Sequence, residues 1–198
     1  VLDSDGLAIV DQAVEGGLRR GRWRIFLDPN IQAAFSKRYD PEVLARLQED
    51  GVTARLKKNC RNTSDVVTNI QLMTGADLGV ATLGPGPGVD TVVYRSVEEA
   101  ADLAEEKLQA LLDQGVSPSD ISLLSPLPFE ESTFAHLPTE RINRIVMLDV
   151  VTASHWPLDE LSFATIADFK GFENRFLLIS DLEDVASRPE EVATLYVG

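Results

Sequence analysis

Apolar and polar positions along the chain follow two periods in turn, and the switches between them outline an alternation of strands and helices. Runs with the short, apolar or alternating character of strands fall at residues 23–27 (Trp-Arg-Ile-Phe-Leu), 52–56 and 91–95. Four more lie in "DISLLSP", "RIVMLDVVTA", "LSFATIA" and "RFLLISDL". Between them stand helical patterns. Asp40-Pro41-Glu42 reads as a cap with proline at the first helical position, opening "EVLARLQED", which Gly51 stops. Ser64-Asp65 opens "VVTNIQLMTG". The clearest helix is "SVEEAADLAEEKLQALLDQG": Ser96 is its cap, Glu99 completes a capping box, Leu103, Leu108, Leu111 and Leu112 supply an apolar face, and Gly115 ends it. "RPEEVATLYVG" predicts a last helix, and "LGPGPGVD" at residues 83–90 excludes both helix and central strand. Strands separated by helices, several of them apolar throughout, predict an α/β fold, a mostly parallel sheet covered on both faces.

The 198 residues, 44% apolar and 25% charged, have ordinary globular composition. No apolar run approaches the roughly 18 residues of a membrane span, and "VLDSDGLAIV" lacks the pattern of a signal peptide, so the expectation is a cytoplasmic protein with no membrane contact. A lone cysteine, Cys60, and two histidines far apart, His136 and His155, predict no metal site; Cys60 is expected to be a small buried apolar residue. The net charge of −14 argues against phosphate binding in general, but it is unevenly placed. Residues 1–75 hold 11 basic and 10 acidic side chains, a net of +1, and residues 76–198 hold 7 and 22, a net of −15. Any anion site is therefore expected to draw on the basic clusters "RRGRWR" and "RLKKNCR" of the first part.

Candidate chemistry lies in the loops. No GxxxxGK[ST] segment and no nucleophile elbow occurs in these 198 residues. Taken by composition alone, Asp28-Pro29-Asn30 is a turn, Arg61 is a surface side chain near a helix cap, and Lys170-Gly171-Phe172-Glu173 is a solvated loop between strands. Trp23, Trp156 and Phe169 suit either core packing or the stacking of bases.

Three segments in order, "IFLDPNIQ" (25–32), "LKKNCRNTSD" (56–65) and "TIADFKGFENRFLLISDL" (165–182), resemble motifs III, IV and V of superfamily 1 helicases, the UvrD-like group, and "EEVATLYVG" (190–198) resembles the opening of motif VI. The resemblance covers most of the chain from Trp23 onward. It implies a RecA-like fold. Residues 1–32 would be the tail of a first motor domain and residues 33–198 the second, with residues 1–22 helical but loosely held.

The resemblance also implies roles. Gln32 would sense the terminal phosphate of ATP, and Arg61 would stabilise the charge that develops in phosphoryl transfer, for which a planar guanidinium is suited. Gly171 would let the backbone approach the nucleotide or take a positive φ, Glu173 would accept hydrogen bonds from the ribose, and Thr165 and Lys170 would contact phosphates of a single DNA strand. Two positions depart from the family pattern: Asp28 and Gln32 are one residue further apart than usual, and Ala167, followed by Asp168, stands where a histidine is usual. ATP and Mg2+ would belong to the intact parent protein, with none tightly bound here; the partners would be single-stranded DNA and the missing first motor domain. Two other readings stay open: a non-catalytic RecA-like module that binds a protein through its acidic surface, and an unrelated enzyme holding magnesium on Asp28, Asp149 and Asp181, which requires those three to cluster.

Overall fold

The structure, a computed structural model, describes residues 3–27, 40–149 and 151–182. Asp28, Gln32, the expected domain boundary beside it and the expected last helix lie outside the described residues. The chain divides into two compact units between Val89 and Asp90.

The first unit begins with α1 (Ser4–Ala13), capped by the Asp3 carboxylate accepting the Gly6 N–H at 2.8 Å, and α2 (Gly17–Arg20). As expected, this stretch is helical. α1 buries none of its side chains. The amphipathic α3 (Pro41–Asp50) starts as its sequence predicts, with Asp40 accepting the Glu42 N–H at 2.9 Å, and it buries Val43 and Leu47. Two short parallel strands, β1 (Lys58–Asn59) and β2 (Val80–Ala81), flank α4 (Ser64–Thr74), which Gly75 ends at a φ of 69°.

The strands expected at 23–27, 52–56 and 91–95 do not form. Residues 22–26 do alternate between exposed and half-buried, yet a strand exists only where a neighbour completes its ladder, and alternation in one segment supplies no neighbour. Trp23 is instead anchored locally: its indole N–H donates to the Leu18 carbonyl at 2.6 Å, and its ring lies against Gly51, where a Cβ would come within 2.7 Å of the ring edge.

The second unit is α/β, with one all-parallel sheet consistent with a RecA-like arrangement. Its strands are β3 (Ile121–Ser125), β4 (Ile145–Met147), β5 (Leu161–Thr165) and β6 (Phe176–Ile179), in the order β4-β5-β3-β6. All five residues of β3 are buried, as suits a strand with neighbours on both sides and cover on both faces. Ile121 and Leu123 project to a core shared with Leu108, Phe134, Leu137, Leu161 and Phe163. Leu124 projects the other way, to Leu148, Ala164, Ile166 and Phe169. The first face is covered by α5 (Val97–Asp113), the short helical turns at residues 129–136 and α6 (Thr139–Ile142); the second by a helical turn at residues 152–155 and the turns that follow β5.

α5 carries the signals its sequence predicts. The Ser96 hydroxyl accepts the Glu99 N–H at 3.2 Å, while the Glu99 carboxylate reaches back one residue further than in a simple capping box, to the Arg95 N–H at 2.7 Å. At the other end Gly115 takes a φ of 82°, and the Val116 N–H donates to the Leu111 carbonyl at 3.1 Å, which closes the helix and turns Val116 onto the core. Ser96→Ala is expected to cost about 1 kcal/mol in urea denaturation, the usual worth of such a cap. Among the described residues no helix is long and apolar enough to cross a membrane.

Candidate functional site

Thr165 is the candidate side chain that stands at the carboxyl edge of the sheet in the second unit. β5 ends at Thr165, in register with Ser125 at the end of β3, and the two ends are tied by the Ile166 N–H donating to the Ser125 carbonyl at 2.9 Å. From there the two chains part. The segment after β3 passes over the first face, where Phe129, Phe134 and Leu137 pack, and the segment after β5 passes over the second, where Ile166, Phe169 and Phe172 pack. Neighbouring parallel strands whose continuations leave on opposite faces open a crevice at their carboxyl ends, the usual ligand position in such sheets. Thr165 stands at this crevice, half-buried, with Lys170 exposed on the turn that follows.

That turn is built from its own residues. The Thr165 hydroxyl donates to the Asp168 carboxylate at 2.6 Å and accepts the Asp168 N–H at 3.1 Å, while the Thr165 carbonyl accepts the Phe169 N–H at 2.9 Å. Phe169 is buried edge-on against Trp156, and Phe172 completes an aromatic triad with ring centroids 5.3–6.1 Å apart. Phe169 is thus core, with Trp156 half-buried against it. Gly171 takes the expected positive φ, 97°, and a Cβ there would meet nothing within 4 Å, so its requirement is purely conformational.

The loop from Lys170 to Glu173 does not sit at one sheet end. Residues 166–175 run the length of the second face. Asn174, next to the exposed Glu173, donates to the Ser119 carbonyl at 3.0 Å and the Ser122 hydroxyl at 2.9 Å, both at the amino end of β3. Thr165 and Glu173 therefore belong to opposite edges of the sheet. A crossover between β5 and β6, the strands flanking β3, must travel antiparallel to the strands for their full length, so two residues at its ends cannot share an edge.

Arg61 belongs to the first unit. It is exposed on a turn in which the Asn59 side-chain oxygen accepts the N–H groups of Arg61 at 3.1 Å and Asn62 at 3.0 Å. The turn is fastened to the Gly-Pro loop: Thr82 donates to the Asn59 carbonyl from both its N–H, at 2.8 Å, and its hydroxyl, at 3.0 Å, and the Ser64 N–H donates to the Gly84 carbonyl at 3.1 Å. Gly79 is obligatory in this arrangement, since at its φ of 73° a Cβ would stand 2.5 Å from the Lys57 carbonyl oxygen. Cys60 is exposed, not buried, because the turn faces outward at that residue.

The acidic residues proposed for magnesium do not converge. Asp28 lies outside the described residues, and Asp149 and Asp181 follow the two edge strands, β4 and β6, three strand spacings or roughly 14 Å apart. Each is engaged locally. The N–H groups of Thr152 and Val151, both at 2.8 Å, and then the Thr152 hydroxyl hold the Asp149 carboxyl below its ordinary range.

Asp181 forms a network that sequence reasoning missed. At a φ of 62°, a left-handed conformation that aspartate tolerates better than most residues, its carboxylate accepts from the Ser125 hydroxyl at 2.6 Å and from both the N–H and the hydroxyl of Thr133. Its partners lie 48 and 56 residues away in the chain, and no local signal marks such a pairing.

No family model matches the chain, and neither a curated protein nor a solved structure matches it.

Proposed function

We propose that the chain is the C-terminal motor-domain fragment of an ATP-dependent superfamily 1 DNA helicase or translocase, acting in the cytoplasm as part of the intact protein. The observation that carries this reading is Thr165 at the carboxyl end of β5, where the diverging continuations of β5 and β3 open a crevice, followed five residues on by the exposed Lys170. A hydroxyl and an ammonium at such a crevice suit the phosphates of a single strand. The four motif-like segments, in family order, support it further.

In the intact protein ATP and Mg2+ would lie between two motor domains. Arg61 would face the transferring phosphoryl group, Gly171 and Glu173 the nucleotide, and Gln32 would report the terminal phosphate across the junction. The family's phosphate-cradling lysine and magnesium-holding acids have no counterpart in these 198 residues. The purified chain is therefore expected to show no DNA-stimulated ATP turnover, while binding oligo(dT) weakly at low salt. Thr165→Val combined with Lys170→Ala should weaken that binding about tenfold in fluorescence anisotropy. Unchanged affinity in the double variant would remove the strand-contact assignment, and ATP turnover would remove the fragment assignment.

A second reading, a non-catalytic RecA-like module that binds a protein partner, is favoured by one observation: the net charge of −15 over residues 76–198. It requires no oligonucleotide affinity at any salt concentration.

A further inference from the structure

We propose that Asp168 is an autoinhibitory carboxylate that occupies the Thr165 hydroxyl and keeps strand phosphates out of the crevice until it turns away. The inference rests on the reading of Thr165 as a strand contact and adds its regulation.

The argument starts from the inventory of one hydroxyl. Thr165 Oγ1 has a single proton, and that proton is given to Asp168 Oδ2 at 2.6 Å, while the oxygen also accepts the Asp168 N–H at 3.1 Å. A phosphodiester oxygen only accepts hydrogen bonds, so Thr165 has nothing to offer it while Asp168 is in place. The carboxylate adds a second obstacle: its full negative charge lies one hydrogen bond from the atom that a phosphate would touch, and like charges at that separation repel.

The block is reversible by construction. Asp168 is exposed, so rotating its side chain outward exchanges the Thr165 hydrogen bond for bonds to water. The turn itself keeps its backbone bond from the Phe169 N–H to the Thr165 carbonyl and its buried Phe169 anchor, so the hydroxyl stays at the crevice when the carboxylate leaves. Lys170, exposed two residues on, supplies the cation for an arriving phosphate. A binding surface of this kind takes up a strand only when its gain from phosphate contacts exceeds the cost of displacing Asp168.

The test is Asp168→Asn in the full chain, measured by anisotropy with fluorescein-labelled oligo(dT). The amide oxygen can still accept the Thr165 hydroxyl and close the turn, but the charge is gone. Affinity at low salt should rise roughly two- to fivefold, and the gain should shrink as salt is added; Asp168→Ala, which also frees the Thr165 hydroxyl, should bind more tightly still, and that additional gain should vanish in the Thr165→Val background. A thermal midpoint equal to that of the unaltered chain would verify that the turn is intact. If Asp168→Asn binds no more tightly while Lys170→Ala weakens binding, Asp168 merely closes the turn: the gate is overturned and the strand contact stands. If neither the unaltered chain nor Asp168→Asn binds oligo(dT), both readings fall together.

Discussion

Phe169→Ala is expected to destabilise the second unit by about 3–5 kcal/mol, the range for truncating a fully buried phenylalanine. Phe169 is 1% exposed and packs among Leu124, Ala164 and Ile166, so the truncation opens a void that rigid strands cannot collapse into. The loss is larger here than burial alone implies. Among the described residues the second face is covered by short turns, and the triad of Trp156, Phe169 and Phe172 holds those turns down. Without Phe169, Trp156 loses an edge contact and Phe172 a tilted one, aromatic pairs worth about 0.5–1.5 kcal/mol each beyond area burial, while the Trp156–Phe172 edge contact remains. Urea denaturation followed by tryptophan fluorescence measures the change. The near-UV circular dichroism of Trp156 should weaken before global unfolding, because the local packing fails first. Phe169→Leu, which keeps most of the volume, should cost under about 1.5 kcal/mol. A Phe169→Ala penalty under about 1 kcal/mol would show that the triad does not hold the crossover.

Asp181→Ala should cost about 3 kcal/mol, from losing hydrogen bonds to a charged acceptor and leaving buried donors without a partner. The Ser125 and Thr133 side chains are at most 1% exposed, so water cannot readily take the place of the carboxylate. Backbone conformation adds to the cost, since alanine at a φ of 62° is less tolerant of the left-handed region than aspartate. Asp181→Gly separates the two terms. It loses the same acceptor but is at ease at positive φ, so it should be less destabilising than Asp181→Ala by about 1 kcal/mol. Hydrogen exchange should locate the effect in residues 126–137, the segment that the carboxylate fastens to the sheet edge through Thr133. Equal penalties for the alanine and glycine variants would remove the conformational term, and unchanged exchange in that segment would remove the tether.

Much of the fold was legible because its signals are local. Asp40, Ser96, Gly75 and Gly115 act within one helical turn of their own position, and α3, α4 and α5 form where those residues predict. The uncharged, mostly apolar character of "ISLL" and "LSFAT" likewise reports burial on two faces, a property of the strand itself. The expected strands at 23–27, 52–56 and 91–95 failed because pairing is a property of two segments, and apolar alternation in one says nothing about its neighbour.

The candidate site divides in the same way. Residue types and spacing determined which side chains are available: a threonine and a lysine around a strand exit, a glycine with the freedom of a positive φ, and an arginine near a helix cap. Only the tertiary structure decided their company. The strand order β4-β5-β3-β6 placed Thr165 at a crevice, carried Glu173 to the opposite edge, separated Asp149 from Asp181, and joined Asp181 to Ser125 and Thr133. The physical reason is that capping and turn chemistry act over a few residues of chain, whereas strand order is settled by how apolar faces are buried together, and that burial is indifferent to distance along the sequence.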